Sequence, residues 1–172
     1  MAPALAEVSV APVLVKPLAD WDEFTGRLEA VDSVGLRPRV GGYIESVAFT
    51  EGSRVQKGQL LFQIDPRPYR AEVSRLAAEQ QRAKAQADLA AANRDRGQRL
   101  LEQNAISREE FERLSTEAAA TAANVGAVDA TLANARLNLE FTRVTAPISG
   151  RVSRAMITEG NLVSSADLLT TL

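Results

Sequence analysis

Glu109, Glu110 and Glu112 put three carboxylates within four residues of this 172-residue chain, and clustered carboxylates are a common device for general acid–base chemistry. Here they fall at what reads as the start of a helix, where negative charge suits the positive end of the macrodipole. No second acid or base is placed to face them across a pocket. The chain has no His and no Cys. That removes the commonest general base, the commonest metal ligand, the thiol nucleophile and the disulfide together. No phosphate-cradling loop or nucleophile motif is visible. These residues point away from an enzyme, and no cofactor or metal site is expected.

The remaining chemistry is that of surfaces. A net charge of −2 argues against a nucleic-acid partner, which needs a basic face. Apolar residues make up 45% of the chain but aromatics only 5%, so thin, elongated packing is favoured over one thick core. No apolar run approaches the roughly 20 residues of a membrane span. The start, MAPALAEVSVAPVLV, has neither the basic opening nor the continuous apolar stretch of a secretory signal. It reads as an added Met on a mature or trimmed chain, and it gives no location.

Three zones must position whatever the chain does. Residues 7–65 carry β-branched residues, Gly, Pro and short apolar runs such as Val13-Leu14-Val15 and Leu60-Leu61-Phe62, which is strand chemistry. Residues 66–140 are Ala-rich, with Gly97 and Gly126 as the only glycines and no Pro after Pro68. Strand chemistry returns from Phe141 with Pro147, Gly150 and Gly160.

The middle zone predicts two helices. The first is expected to begin at Asp65-Pro66-Arg67-Pro68 with Asp65 as N-cap, and to run to about Gln103. Asn104-Ala105-Ile106 is the turn. The second starts at Ser107, with Glu110 three residues on as a capping box and Ile106 placed to staple onto Phe111. It is expected to end near Glu140. Phe111, Leu114, Ala118, Thr121, Val125, Val128, Leu132, Ala135 and Leu139 alternate at spacings of three and four, the seam of a coiled coil. Tyr69, Val73, Leu76, Gln80, Ala83, Ala87, Ala90, Arg94, Gly97 and Leu101 form a weaker matching row. A three-residue turn makes the two helices antiparallel neighbours. The alternative is a helical pair in a larger bundle, for which large apolar residues are too few.

An internal repeat flanks this zone. At an offset of 108 residues, Arg39-Val40-Gly41-Gly42-Tyr43-Ile44 aligns with Pro147-Ile148-Ser149-Gly150-Arg151-Val152. The match continues through Thr50-Glu51-Gly52 and Thr158-Glu159-Gly160, Val55 and Val163, and Leu60-Leu61 and Leu168-Leu169. Each copy reads as strand, Gly turn, strand, Glu-Gly turn, strand, and neither could bury its apolar face alone. The expected fold class is α+β: a long antiparallel coiled-coil hairpin, residues 66–140, inserted into a split lipoyl-like β-sandwich made of 34–65 and 141–172. Residues 8–33, with Trp21 and the alternating Glu23–Ala30, fit neither unit. They are expected to supply the N-terminal strand of an incomplete β-barrel, the rest of which is absent from this chain.

This order of half-motif, hairpin and half-motif resembles the periplasmic adaptor, or membrane fusion, proteins of tripartite multidrug efflux pumps. The stretches WDEFTGRLEAVDSVGLRPRVGGYIESVAFTEGSRVQKGQLLFQIDPRPY and LNLEFTRVTAPISGRVSRAMITEGNLV are most similar to adaptors of resistance-nodulation-division (RND) transporters, the MexE-like branch in particular. The resemblance covers roughly residues 8–172. It implies a non-enzymatic adaptor in the periplasm, linking an inner-membrane RND transporter to an outer-membrane channel and self-associating into a ring, a hexamer in the full assembly. Family members are attached to the inner membrane by an acylated Cys or a span, and neither occurs here.

The family marks its hairpin tip with an Arg, a Leu and a Ser that match Arg96, Leu100 and Ser107 in RGQRLLEQNAIS. The resemblance makes these three the contact with the outer-membrane channel. Each also has a plainer role: Ser107 as an N-cap, Arg96 as a solvated helix charge, and Leu100 packed on Ile106 or Phe111 across the turn. The lipoyl likeness suggests a rival, a swinging-arm carrier on Lys57. The modified Lys of such domains sits between the half-motifs, however, where this chain has its hairpin. An adaptor for an ABC-type or type I secretion exporter is the other alternative. An independent coiled-coil tether leaves the repeat unexplained.

Overall fold

The computed structural model describes residues 3–172, and the chain divides into two units, Met1–Val31 and Asp32–Leu172. In the first unit the described residues, 3–31, take up no helix or strand, and each is exposed. The strand expected within 8–33 is not formed among them. A strand's backbone donors and acceptors need a neighbouring ladder, and this stretch brings no second strand of its own.

The second unit opens with β1 (Gly35–Leu36), β2 (Gly42–Val47), β3 (Arg54–Val55) and β4 (Leu60–Ile64). Two helices follow, α1 (Arg67–Glu102) and α2 (Arg108–Phe141), and then β5 (Arg143–Thr145), β6 (Gly150–Arg151), β7 (Leu162–Val163) and β8 (Thr170–Thr171). Pairing crosses the helices. One sheet runs β5-β4-β2-β7, and two further pairs are β1-β8 and β3-β6, all antiparallel.

The sequence offset of 108 residues returns as a two-fold in strand register. Gly35 opposite Thr171 and Leu36 opposite Thr170 are matched by Arg143 opposite Gln63 and Val144 opposite Phe62. Gly42 opposite Val163 and Tyr43 opposite Leu162 are matched by Gly150 opposite Val55 and Arg151 opposite Arg54. The repeated Glu-Gly turns use glycine at φ 72° (Gly52) and 82° (Gly160), a region that disfavours a side chain. The glutamate before each glycine reaches into the other half. Glu51 Oε1 accepts from the Ala155 backbone N–H at 2.9 Å, and Glu159 Oε1 accepts from the Val47 N–H at 2.9 Å.

The core obeys the same two-fold. Leu36, Ile44, Val55, Leu61 and Ile64 are buried beside their counterparts Val144, Val152, Val163, Leu169 and Leu172. Phe62 is fully buried and meets Phe49 edge-on, with ring centroids 5.3 Å apart. Ile64 N–H donates to the Thr142 carbonyl at 2.8 Å where the helical pair is rooted. Leu172 N–H donates to the Val34 carbonyl at 3.0 Å at the equivalent place.

At 36 and 34 residues, α1 and α2 each extend about 50 Å. The seam read from sequence is the buried one. On α1, Leu76, Ala83, Ala90 and Gly97 are buried at seven-residue intervals, and Ala118, Leu132 and Ala135 are buried on α2. Arg94 alone of the α1 row is exposed. It turns instead to Asp95 at 2.7 Å. Inside the seam, the Gln80 side-chain amide donates to the Asp129 carboxylate. Such a polar pair between the two helices favours one register over its neighbours.

The α1 start differs from the expected capping. Pro66 is the N-cap and makes no side-chain cap bond. Asp65 stands one residue earlier, yet its Oδ1 accepts from the Arg67 backbone N–H at 3.0 Å. The first helical bond runs from the Arg70 N–H to the Pro66 carbonyl at 2.8 Å, which makes Pro66 the cap residue and leaves the Asp65 carboxylate to reach over it. The Arg67 guanidinium clasps the same carboxylate at 2.7 Å and, with that backbone bond, lowers the Asp65 pKa to about 2.

Candidate functional site

The end of the helical pair remote from the β-strands is built by three local devices. The first closes α1. Gln103 is its C-cap, and Asn104 follows at φ 56°, the one non-glycine residue of positive φ among the described residues. The Asn104 N–H donates to the Leu101 carbonyl at 2.9 Å and the Ala105 N–H to the Leu100 carbonyl at 2.8 Å. These are the two bonds of a Schellman motif, with Asn in the place glycine usually takes. The helix ends there because its last carbonyls are satisfied from the turn.

The second device starts α2. Ser107, with extended backbone, accepts from the Glu110 N–H through Oγ at 3.1 Å. The capping box is only half closed. The Glu110 carboxylate goes to Arg113, at 2.7 Å, rather than back to Ser107. That guanidinium holds the Glu110 carboxyl below the usual carboxylate range. Glu109 shares the first turn, so the acidic run read in the sequence is helix-start charge.

The third device joins the helices. Gly97 is buried in α1, and a Cβ there would lie 2.6 Å from Leu114 Cδ1 and 3.7 Å from both Ile106 Cδ1 and Phe111 Cδ2. Ile106 and Phe111, the expected staple, thus converge on a glycine of the other helix. The sequence presents Gly97 as one seam residue among ten. Its place opposite three large apolar side chains could have been inferred from the antiparallel register.

On this frame, Arg96 is exposed and makes no ion pair or side-chain hydrogen bond among the described residues. Leu100, one turn further along the same face, is half-buried. Ser107 is exposed but committed through its Oγ to the cap. The three lie within the last two turns of α1 and at the N-cap of α2. No side-chain hydrogen bond or ion pair joins them among the described residues. Arg96 offers free guanidinium donors, Leu100 a partly exposed apolar side chain, and Ser107 a hydroxyl proton that its own cap does not use. The arrangement is one of donors and a partly exposed apolar side chain presented to solvent. Among the described residues, no group of three His, Cys, Asp or Glu could hold a metal ion, and no helix is long and apolar enough to cross a membrane.

A protein-family pattern described as "RND MFP, barrel-sandwich hybrid domain" matches residues 32–172. Multidrug resistance protein MdtA of Pantoea ananatis (strain AJ13355) is 36% identical over 165 residues, covering 95% of this chain and 40% of MdtA. Multidrug export protein AcrE of Escherichia coli (strain K12) is 39% identical over 159 residues, covering 92% of this chain and 41% of AcrE. The chain therefore spans about two-fifths of the length of these relatives. Among solved structures, a MacA-MexA chimeric protein containing the Pseudomonas aeruginosa MexA α-hairpin domain superposes with a TM-score of 0.50 and 26% identity. That match covers 83% of this chain and 48% of the chimera.

Proposed function

The chain belongs to the RND membrane fusion protein family through its barrel-sandwich hybrid domain, and from that premise we propose that it is the docking arm of a periplasmic efflux adaptor. The strands on the two sides of the helical pair make one lipoyl-like sandwich into which the hairpin is inserted. The hairpin reaches out to an outer-membrane channel, and the β-unit stands beside copies of itself in a ring, a hexamer in the full assembly. Residues 8–33 supply a strand to a neighbouring β-barrel, through which the full-length protein meets an inner-membrane RND transporter. The assembly is attached to the inner membrane, and multidrug substrates pass along the conduit it encloses.

The observation that carries this reading is the cross-pairing of the repeat. The strands before and after the helices share their ladders, so the hairpin is held by both halves at its root and can transmit a docking contact from its tip. At the tip, Arg96 donates to channel carboxylates or carbonyls, Leu100 inserts an apolar side chain, and Ser107 offers its hydroxyl beside them.

The test uses the full-length protein carrying Arg96→Asp. Export of a fluorescent substrate and cross-linking of the tip to the channel should both be abolished, while far-UV circular dichroism stays unchanged because Arg96 supports nothing internal. Persistence of both export and cross-linking would remove Arg96 from the interface and with it the tip assignment. Co-purification with an ABC-type exporter in place of an RND transporter would give the alternative reading of the partner.

A further inference from the structure

Where α2 returns into the β-unit, the surface dips into a groove of about 570 Å³ lined by β1 and the two arginines after it, by Lys57-Gly58, and by the end of α2 with β5 and the two residues that follow. Its rim is cationic. Arg37, Arg39, Lys57 and Arg143 all face it, against a single carboxylate, Glu140. None of the four is ion-paired among the described residues. Outside the groove, Arg67, Arg75, Arg94 and Arg113 each have a carboxylate oxygen at 2.7 Å.

Two of the rim cations are held in place. The Arg39 guanidinium stacks over the Phe141 ring, 4.8 Å from its centroid, which fixes the charge beside an apolar surface. Arg37 donates to the Ala166 carbonyl, and Asp167 lies within its field, so Arg37 is the partly compensated member. Arg39, Lys57 and Arg143 remain, three positive charges gathered around one negative. Like charges brought together cost free energy unless an anion joins them, and the net charge of the chain is −2, so the cluster is a local excess. The floor beneath is apolar, formed by Leu36, Val144 and Phe141. A volume in the range of small-molecule sites, a cationic rim and an apolar floor define one class of ligand.

We propose that this groove binds an amphiphilic anion, its phosphate or carboxylate head on Arg39, Lys57 and Arg143 and its hydrocarbon on the floor. The head would accept charge-assisted hydrogen bonds from groups that otherwise face water alone. The tail would cover apolar surface at the junction of α2 and β5. A free amphiphile and an anionic lipid present the same chemistry, and this inference does not depend on the adaptor reading.

The experiment is isothermal titration calorimetry of the 172-residue chain with decyl phosphate below its micelle concentration, and flotation with phosphatidylglycerol vesicles. Saturable binding of decyl phosphate assigns a free amphiphile, and binding to vesicles alone assigns a lipid headgroup. In either arm Lys57→Ala/Arg143→Ala should weaken binding at least about tenfold, the loss of two charge-assisted bonds. Glu140→Gln should tighten it about twofold by removing the one opposing charge at an exposed site. The variant Arg82→Ala/Lys84→Ala, on the outer face of α1, should leave it unchanged. All these side chains are exposed, and an unchanged melting temperature verifies the fold. Absence of binding in both arms overturns the proposal. So does equal affinity for neutral decyl maltoside. Self-association of the chain that Lys57→Ala/Arg143→Ala abolishes, without ligand binding, would give the groove to an acidic segment of a second copy and also overturn it.

Discussion

The two helical glycines offer a controlled test of how α1 and α2 approach one another. Glycine inside a helix costs about 1 kcal/mol relative to alanine, so both Gly97→Ala and Gly126→Ala gain that amount from backbone propensity. They differ in what the new methyl meets. At Gly126 nothing lies within 4 Å, whereas at Gly97 the Cβ would stand 2.6 Å from Leu114 Cδ1, with Ile106 and Phe111 limiting its retreat at 3.7 Å. That separation is far inside the carbon–carbon optimum of about 3.5–4.0 Å, and overpacking of this kind costs about 1–3 kcal/mol. Gly126→Ala should therefore stabilise the protein by about 1 kcal/mol. Gly97→Ala should lie between no change and a loss of about 2 kcal/mol. The difference between the two variants cancels propensity and leaves the steric cost, about 1–3 kcal/mol, or about 2–12 °C in melting temperature for a chain of this size. Urea unfolding followed by far-UV circular dichroism measures both. Leu114→Ala in the Gly97→Ala background should recover most of the loss attributable to the clash, because it removes the atom in the way. Equal stabilisation by both alanines would refute the close approach at Gly97.

Three further perturbations probe the caps and the two-fold. Asn104→Gly should match or slightly exceed the parent in stability and Asn104→Val should lose about 1–2 kcal/mol, since φ of 56° strains a β-branched residue; thermal melts decide. Glu51→Gln and Glu159→Gln keep an oxygen acceptor but weaken equivalent latches, so each should cost about 0.5–1 kcal/mol. A cost at one position and none at its partner would break the equivalence. Asp65 has a folded pKa lowered to about 2, below the usual carboxylate value near 4. Its contribution is therefore present at neutral pH and lost as pH falls from about 4 toward 2. Acid titration of Asp65→Asn should lack that component, and an unchanged acid transition would remove Asp65 from the account.

The helices were legible because their signals are local and periodic. The heptad from Phe111 to Leu139 needs no knowledge of the partner, and every one of its residues is buried or half-buried. The Ser107 cap likewise depends on one residue and the backbone that follows it. The repeat was legible as a pattern, but the pairing it produces was not. That β2 joins β7 while β3 joins β6 depends on contacts between halves on the order of a hundred residues apart, which no local propensity encodes. The reach of Glu51 and Glu159 belongs to that class, since each reads locally as a turn residue. The tip was legible as Asn104-Ala105-Ile106, yet the left-handed Asn104 and the clearance at Gly97 emerge only once both helices are in register. Asp65 shows the limit of a capping rule. Its side chain satisfies a first-turn donor, but Pro66 takes the cap position. Along residues 8–33 the alternating pattern of Glu23–Ala30 describes a face suited to a sheet, and a face without a ladder leaves no strand.

The hydrogen bond between Ile64 and Thr142 has its two-fold counterpart between Leu172 and Val34, and this pairing has a mechanical meaning. The two strands that lead into the hairpin, β4 and β5, leave the β-unit side by side and bonded to each other. Tension along the hairpin therefore pulls both at once and shares the load over their ladder, where a single attached strand would peel bond by bond. The same holds for β1 and β8 at the other root. Force entering through one root must cross the sheet β5-β4-β2-β7 and the interlocked core before it can leave through the other. The β-unit is thus a coupling loaded in parallel, with the two glutamate latches as cross-ties, and its resistance to a steady pull should exceed what such short strands would offer if each were strained alone.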